Sequence, residues 1–422
     1  MPYIKEELLH HIWQHRLFSQ KELRTVDGQP LEIMKVGTLN SNAGPDFQNT
    51  RIKIGVTEWA GNVEIHIKSS DWLRHKHQYD ANYSNIILHV VFEDDLKEPL
   101  GKFPTLELKD LVSDQVLRRY ENLDTSSGEL PCGSQFIEVP ELVRSAWFDS
   151  LLIGRLQRKS EWMSQLVDEC GGDLEQAFTV VVFRAFGMKV NAEPFEQLAK
   201  RIPWKVLSKH QDNQFQLEAI LFGVAGFLDS PKDDYQNDLK KEFDFLSHKY
   251  QLKPLDVSVW KFLRLRPANF PTVRLAQLAA LFQSTGAFFN WFSNQKEIDL
   301  KKLMVEPSSY WKMHYNFGTD SKPKSKRIGK TMARNIIINA VAPFLFVSAH
   351  REAKPELQDR ALNLLQQLEP ESNVKVNAFA EQGLKVQNAA ESQALIELKT
   401  HFCDHKKCLT CSIGANILKR ES

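Results

Sequence analysis

The stretch that decides the fold is GNVEIHIKSSDWLRHKHQYD, residues 61–80. From Val63 to Lys68 apolar and polar residues alternate, and this period of two is typical of a β-strand with one apolar face. Glu64, His66 and Lys68 therefore share the polar face of the predicted strand. A strand and a turn fold without so many ionisable side chains, so the stretch also predicts a functional site.

Neighbouring segments extend this strand into a sheet. Asp27-Gly28 predicts a hairpin turn, because glycine tolerates positive φ. TRIKIGV, residues 50–56, alternates like a half-buried strand, and EWAGN, residues 58–62, is predicted to turn the chain into the next strand. NIILHVVFE, residues 85–93, is apolar nearly throughout, which predicts a buried central strand.

Two predicted helices flank these strands. Apolar residues recur at helical spacing between residues 4 and 13, and a second helix near residues 110–122 is expected to close the region. We therefore predict an α+β fold. It begins with an N-terminal helix and a mostly antiparallel or mixed β-sheet domain over residues 1–128.

The character of the sequence changes after DTSSGELPCGS, residues 124–134, which is predicted to be a linker. Beyond it, long apolar stretches of helical period are interrupted by prolines and short polar segments. They predict a large all-α domain over residues 136–400. The cysteine-rich residues 401–422 are predicted to form a metal-binding segment that packs back on the body of the protein.

The composition is that of a soluble, folded protein of 422 residues, for which two or three domains are expected. Its 54 Lys and Arg residues against 53 Asp and Glu residues leave no global basic excess, so contact with DNA or RNA needs a local patch. We find neither a signal peptide nor a run of about eighteen apolar residues, and expect no membrane contact. Five cysteines without a secretory signal predict a reducing, cytoplasmic location.

A pair of acidic residues is predicted to meet at the ends of two neighbouring strands. NAGPDF, residues 42–47, places Asp46 at the start of the strand that precedes the one carrying Glu64. Two such carboxylates can bind a hard divalent cation, Mg²⁺ or Mn²⁺, which activates water and offsets charge on a phosphate. His66 or Lys68 would orient the water or stabilise the phosphate.

A second set of candidate ligands follows in the same stretch. His75, His77 and Asp80 have a spacing that suits a transition-metal site of histidine and carboxylate ligands. The alternative is an exposed polar turn above Trp72. His89, within the predicted central strand, is expected to be a hydrogen-bonded core histidine and not a ligand.

The cysteines near the C-terminus predict a structural metal site. HFCDHKKCLTC, residues 401–411, gives Cys403, Cys408 and Cys411 in a C-x4-C-x2-C spacing, which suits zinc or an iron–sulfur cluster. The candidates for a fourth ligand are His405 and His401 nearby and the distant Cys132. The alternative is a group of free or buried thiols.

One basic segment is the best local candidate for a nucleic-acid contact. TDSKPKSKRIGKTMAR, residues 319–334, includes four cations that we predict to face the phosphate backbone of DNA or RNA: Lys324, Lys326, Arg327 and Lys330. The alternative is a solvated run of charge without a partner.

The N-terminal motifs resemble the PD-(D/E)XK phosphodiesterases, in which a helix, three antiparallel strands, a helix and a further strand build a restriction-endonuclease-like fold. The matching residues are Pro45-Asp46 and Glu64-Ile65-His66. The resemblance implies a metal-dependent nuclease centre. The sequence departs from the family pattern at His66, where a lysine is usual, and Lys68 lies one pleat further along. Some nucleases of this group also carry an iron–sulfur cluster on one cysteine before the core and three after it, whereas Cys132 here follows the core.

The motifs over the whole chain resemble a bacterial family, the domain-of-unknown-function family twenty-eight fifty-one. They are NAGPDF, GNVEIHIKSSDW, HKHQYDANYSNIILHVV, LRPANFPTVRLAQLA, NAVAPFL and CLTC. This resemblance implies the domain plan and carries no activity.

Three functions are compatible with these patterns. The leading hypothesis is a metal-dependent phosphodiesterase that acts on nucleic acid through Asp46 and Glu64. The second is a non-catalytic nucleic-acid-binding or scaffold protein with a structural metal site. The third is a small-molecule metallohydrolase that uses His75, His77 and Asp80.

Overall fold

The computed structural model describes residues 4–98, 100, 103–294 and 299–420. The chain forms two compact units. The first contains residues 1–149, 373–385 and 395–422, and the second contains residues 150–372 and 386–394. The predicted boundaries at residues 128, 136 and 400 follow changes in composition, whereas these units follow contacts in space. Residues near the C-terminus consequently belong with the N-terminal residues.

The strands lie mainly in the first unit. In chain order they are β1 Leu31–Lys35, β2 Thr38–Leu39, β3 Phe47–Ile54, β4 Thr57–Lys68, β5 Ile86–Glu93, β6 Thr105–Glu107, β7 His314–Asn316 and β8 Thr319–Asp320. The last two form a small antiparallel hairpin in the second unit. That unit is therefore not purely helical, as the predicted all-α domain would be.

Helices make up most of the remaining chain. They are α1 Glu6–His15, α2 Asp71–Arg74, α3 Asp114–Thr125, α4 Gln135–Glu138, α5 Glu141–Glu169, α6 Leu174–Phe186, α7 Ala192–Arg201, α8 Trp204–Lys209, α9 Gln214–Val224, α10 Asp234–Tyr250, α11 Pro271–Thr285, α12 Phe288–Asn294, α13 Leu300–Leu303, α14 Lys330–Ile336, α15 Ala342–Arg351, α16 Pro355–Gln367, α17 Val374–Ala380, α18 Ala389–His401 and α19 Ser412–Lys419. The π-helical turn Ile337–Val341 joins α14 to α15. The α+β prediction, with a sheet-containing front and a large helical region, is confirmed.

The sheet of the first unit has the order β1-β3-β4-β5-β6, and β2 pairs with β3 beside this path. Strands β1, β3 and β4 are antiparallel neighbours, whereas β4, β5 and β6 run parallel. The sheet is thus mixed, as predicted. Strand β5 is buried along almost its whole length, which agrees with its nearly continuous apolar sequence.

The turn before β4 lies at Gly55-Val56 and not at the predicted EWAGN, which belongs to the strand. Ile54 pairs with Thr57 across a two-residue turn in which Gly55 has a φ of +57°. Gly61 is needed inside the strand because a Cβ there would lie 2.5 Å from Ile87 Cγ2. This glycine therefore marks close packing against the start of β5, and it does not mark a turn.

Helix α1 packs on β4 through one apolar face. Leu8, Leu9, Ile12 and Trp13 are fully buried on that face, and Trp13 Nε1 donates to the carbonyl oxygen of Val36 at 3.0 Å. The opposite face remains polar, as the helical spacing of the sequence predicts. The packing brings the His10 side chain next to the beginning of β3.

One continuous helical stretch of the second unit, Lys330–Arg351, is long and apolar enough to cross a membrane. Most of its apolar window is buried inside the protein. The core helix of a soluble protein has the same character, so the stretch is compatible with a soluble protein.

Candidate functional site

Asp46, just before β3, lies side by side with Glu64 of the neighbouring strand β4. Phe47 pairs with Val63 in the β3–β4 ladder, which places the preceding Asp46 opposite Glu64. The Asp46 N–H donates to Glu64 Oε2 at 3.1 Å, and the Ile65 N–H donates to Asp46 Oδ2 at 2.9 Å. The structure thus brings together the two carboxylates that the sequence predicts to meet.

The second oxygen of Glu64 faces a group of histidines. Glu64 Oε1 lies 3.3 Å from His77 Nε2 and 3.6 Å from His66 Nε2. His66 Nε2 in turn lies 3.2 Å from His75 Nδ1. Metal–ligand bonds of about 2.1 Å place tetrahedral ligand atoms about 3.4 Å apart. Three of the six separations among these atoms match that value, so the three histidines, with Glu64 as a fourth candidate, are placed to share a transition-metal ion.

The turn after β4 explains why His75 and His77 both reach His66. Helix α2 ends at Arg74, and Lys76 then adopts a left-handed conformation with a φ of +62°. This residue reverses the chain, so that the histidines on either side of it return to the end of β4. Candidate ligand atoms of His66, His75 and His77 all lie within 4.8 Å of one another.

His89 on β5 fixes the orientation of the His66 ring. Its Nε2 lies 2.9 Å from His66 Nδ1, and both rings are buried. Burial and the neighbouring imidazoles lower the pKa of His66 to about 2 and that of His89 to about 4, so both are neutral. When His66 Nδ1 carries the proton and donates to His89, its Nε2 lone pair faces the other candidate ligands. His89 is a hydrogen-bonded core histidine, as predicted.

Electrostatics in this centre favour a bound cation. Burial raises the pKa of Glu64 to about 9, and the nearby negative charge of Asp46 adds to the rise. A divalent cation would remove both causes by compensating the carboxylate charge. Tyr83, whose ring stacks on His77 with centroids 4.0 Å apart, has its pKa raised to about 12 by burial and these acids.

Two of the predicted residues take other places. Asp80 is exposed and accepts the Asn82 N–H at 2.9 Å, which caps a short 3₁₀ turn, so its carboxylate is engaged away from the histidine trio. The Lys68 N–H donates to the Asp71 carboxylate, and the Lys68 charge lies near Glu93. The ligand set suggested by geometry is therefore Glu64, His66, His75 and His77.

His10 is a neighbour of the centre that the sequence analysis missed. Its Nε2 lies 3.2 Å from Asp46 Oδ2, and both side chains are 22% exposed. The signal was indirect, because only the packing of α1 against β4 brings His10 to this position. His10 and Asp46 form the more accessible edge of a centre in which Glu64 and His66 are buried.

The four predicted cysteine ligands line one cavity of the first unit. Cys132, Cys403, Cys408 and Cys411 surround it together with apolar side chains, and none of them forms a disulfide. Burial and, to a smaller extent, the neighbouring cysteines raise the pKa of Cys132 and of Cys408 to about 12. The alternative fourth ligands, His401 and His405, are exposed and are not among the residues around the cavity.

A comparison with family models decides the relationship of the chain. The family described as Protein of unknown function (DUF2851) matches residues 6–374. The chain belongs to this family. The match includes the histidine centre and Cys132 and ends before Cys403. Neither a curated protein nor a solved structure matches the chain, so the PD-(D/E)XK relationship stays a prediction.

The basic segment of this DUF2851 protein does not present the predicted row of free cations. Lys326 is buried, and its Nζ donates to the carbonyl oxygens of Lys312 and Lys324 at 3.2 and 3.0 Å. Arg327 donates to the carbonyl oxygen of Met304 at 3.0 Å. The prediction is wrong for Lys326, because a buried ammonium group that already holds two carbonyls cannot face a phosphate backbone.

The two remaining residues of that prediction are nearer the surface. The Lys330 Nζ pairs with the Glu369 carboxylate at 2.5 Å. The Lys324 N–H donates to the carbonyl oxygen of Lys312, which fixes the backbone of the segment. The segment is therefore ordered by its own contacts, and the electrostatic case for nucleic acid at this surface is weakened.

Proposed function

We propose that the protein is a metal-dependent phosphodiesterase whose centre lies in the first unit. The observation that carries the proposal is the histidine trio His66, His75 and His77, whose candidate ligand atoms lie within 4.8 Å of one another. Glu64 Oε1 lies 3.3 Å from His77 Nε2 and 3.6 Å from His66 Nε2. The four side chains come from a strand and the turn that follows it. Such spacing has no structural purpose in a sheet, and it suits one shared ion.

The donor atoms favour a particular class of ion. Three imidazoles and one carboxylate suit Mn²⁺, Zn²⁺ or Fe²⁺ better than Mg²⁺, which prefers oxygen ligands. Of the two ions predicted from sequence, Mn²⁺ is thus the better choice. A bound ion would supply Lewis acidity for water activation and for charge on a phosphate.

The protein residues divide into two roles. Glu64 and His66 are buried with side-chain exposures of 6% and 2%, and His89 orients the second of them. They are suited to hold an ion and cannot reach a substrate directly. Asp46 is 22% exposed and lies beside them, so we assign to it the substrate-facing position and the acceptance of a proton from attacking water.

Phosphodiesters of nucleic acid are the substrate class we propose. The element order is a helix, four antiparallel strands of which β2 lies beside the main path, a short helix and a parallel strand. Asp46 precedes β3 and Glu64 lies on β4. Apart from β2, this order resembles the one expected of the PD-(D/E)XK phosphodiesterases, which supports the proposal. The proposal does not use the basic segment of the second unit.

Cleavage assays with matched variants test the proposal. Full-length protein is stripped of metal, supplied with Mn²⁺, Zn²⁺ or Mg²⁺, and incubated with DNA, RNA or bis(p-nitrophenyl) phosphate. We expect Mn²⁺-dependent cleavage that Glu64→Gln lowers at least about 100-fold, because the charge of one ligand is lost. Glu58→Gln is the control, since Glu58 lies on the same strand with its side chain 54% exposed.

Three results decide the outcome. Equal cleavage by Glu64→Gln and the parent protein contradicts the proposed centre, provided both unfold at similar temperatures. Cleavage of bis(p-nitrophenyl) phosphate but not of DNA or RNA favours the small-molecule hydrolase. Failure to cleave any of the three, with any of the three ions, favours the non-catalytic binding or scaffold protein.

A further inference from the structure

The cavity among the four cysteines is built from distant parts of the chain. Cys132 follows α3, Cys403 follows α18, and Cys408 and Cys411 precede α19. The other lining residues are mainly apolar and include Phe136, Leu398, Phe402 and Ile413. A site that gathers four thiols in an apolar surrounding offers soft ligands and no oxygen donors, which suits zinc or iron and not Mg²⁺ or Ca²⁺.

The spacing of the sulfurs separates a single ion from a cluster. Zn–S bonds of about 2.3 Å would bring four tetrahedral sulfurs within about 3.8 Å of one another. Among the described residues, the histidine trio meets within 4.8 Å, and no three of the four sulfurs do. The cavity beside them measures about 20 Å³, room for about one water molecule. The wide spacing of the sulfurs favours a cluster, in which several metal ions separate the thiolates, over a single zinc ion.

The surroundings of Cys411 provide N–H groups that favour a thiolate. The N–H groups of Ile413 and Gly414 face its sulfur from the first turn of α19, as does the indole N–H of Trp147. The Trp147 nitrogen is buried and has no hydrogen-bond partner among the described residues, so a thiolate of Cys411 that is bound to a metal group would give it an acceptor. Such N–H groups stabilise the charge of sulfur ligands and tune the potential of iron–sulfur clusters.

Close packing fixes the loop that carries two of the cysteines. A Cβ at position 414 would lie 2.2 Å from the carbonyl oxygen of Cys408, so only glycine allows α19 to approach this loop. The Ala415 N–H donates to the carbonyl oxygen of Cys411 at 2.8 Å. The positions of Cys408 and Cys411 are therefore set by the backbone before any ligand binds.

We infer that Cys132, Cys403, Cys408 and Cys411 bind an iron–sulfur cluster. The cluster has a structural role, because it joins Cys132 in the predicted linker to the segment of Cys403, Cys408 and Cys411 within one compact unit. The inference stands apart from the proposed hydrolase, since it uses none of the residues of the histidine centre.

Elemental and spectroscopic analysis of full-length protein tests the inference. The protein is purified without oxygen, and iron, zinc and acid-labile sulfide are measured, with a visible spectrum before and after dithionite. We expect iron and sulfide in equal amounts, two or four of each per chain, and visible absorption that fades on reduction. Sulfide is the decisive quantity, because iron or zinc alone could occupy the histidine centre.

Two variants locate the cluster. Cys132→Ser should lose iron and sulfide together, and Cys170→Ser, at a cysteine of the second unit, should keep both. If Cys132→Ser does not fold, the sulfide content of the parent protein still decides the question. Absence of sulfide in the parent protein, or zinc that leaves with Cys132, overturns the inference in favour of a mononuclear site. Sulfide retained by a folded Cys132→Ser also overturns it.

Discussion

The two candidate metal centres of the first unit are built on opposite plans. The histidine centre lies on β4, β5 and one turn, and its side chains already contact one another through separations of 2.9 to 3.6 Å. The cysteine centre joins distant segments around a small apolar cavity, and its sulfurs stand wider apart. The comparison indicates that the fold brings the histidines together without an ion, whereas the proposed cluster would join the distant segments that carry the cysteines.

Exposure separates the centres as well. The edge formed by His10 and Asp46 is partly open, and His75 is exposed, so ions and substrate can reach the histidine centre. None of the four cysteines is exposed: Cys411 is buried, the other three are half-buried, and the residues around them are mainly apolar. An accessible centre suits chemistry, and an enclosed one suits a resident group that stays for the life of the protein.

The largest expected effect is the loss of stability when a cysteine ligand is removed. Without that loss, the contrast between the cysteine centre and the histidine centre would not hold. Cys411→Ser should lower the free energy of unfolding of the first unit by more than about 4 kcal/mol, because binding of a structural metal group contributes directly to folding. His77→Gln, in protein free of added metal, should change it by less than about 1 kcal/mol. Urea unfolding under anaerobic conditions measures both. Equal losses for the two variants would contradict the assignment of roles.

An intermediate effect is expected from the residue behind His66. His89→Leu removes the partner of His66 Nδ1 and should weaken Mn²⁺ or Zn²⁺ binding at the histidine centre by about 10- to 100-fold. His89→Gln retains a hydrogen-bonding side chain and should restore part of the affinity. Calorimetric titration of the metal-free protein measures both. If both variants bind as tightly as the parent protein, His89 only fills space.

The smallest expected effect measures what one N–H group contributes to the cysteine centre. Trp147→Phe removes the N–H near Cys411 while an aromatic ring still packs against Phe402, at 5.3 Å between centroids in the parent. In protein that carries the proposed cluster, the free energy of unfolding should fall by about 1 kcal/mol, the usual value of one hydrogen bond, because the indole N–H would lose the bound thiolate as its acceptor. Trp59→Phe, at a half-exposed position of β4, is the control and should have no effect. If the urea concentration at the midpoint of unfolding is the same for Trp147→Phe and the parent protein, the indole N–H does not stabilise Cys411.

The sequence predicts the strands well because their patterns are local. The alternation around Glu64 and the apolar run of β5 specify strands whatever surrounds them. The prediction of a turn at EWAGN is wrong because a glycine such as Gly61 is compatible either with a turn or with close packing of one strand against its neighbour. Only the distance to Ile87 distinguishes these two cases.

The candidate site was predicted in part for the same reason. Asp46 and Glu64 lie on strands whose pairing could be expected, so their meeting was predictable. The sequence predicts Asp80 beside His75 and His77, whereas the structure places His66 there. This difference depends on the left-handed conformation of Lys76, which no sequence pattern predicts. His10 and the burial of Lys326 depend on packing between segments remote in sequence, and a single sequence gives no measure of such packing.

The first unit contains residues from both sides of the second unit in the sequence, and this order has a consequence for the newly made chain. Residues 395–422 belong to the first unit, yet they leave the ribosome after every residue of the second. The second unit can therefore fold during synthesis, while the first waits for its final helix. Cys132 must remain reduced and unpaired throughout that interval, because its partners are made only after the second unit.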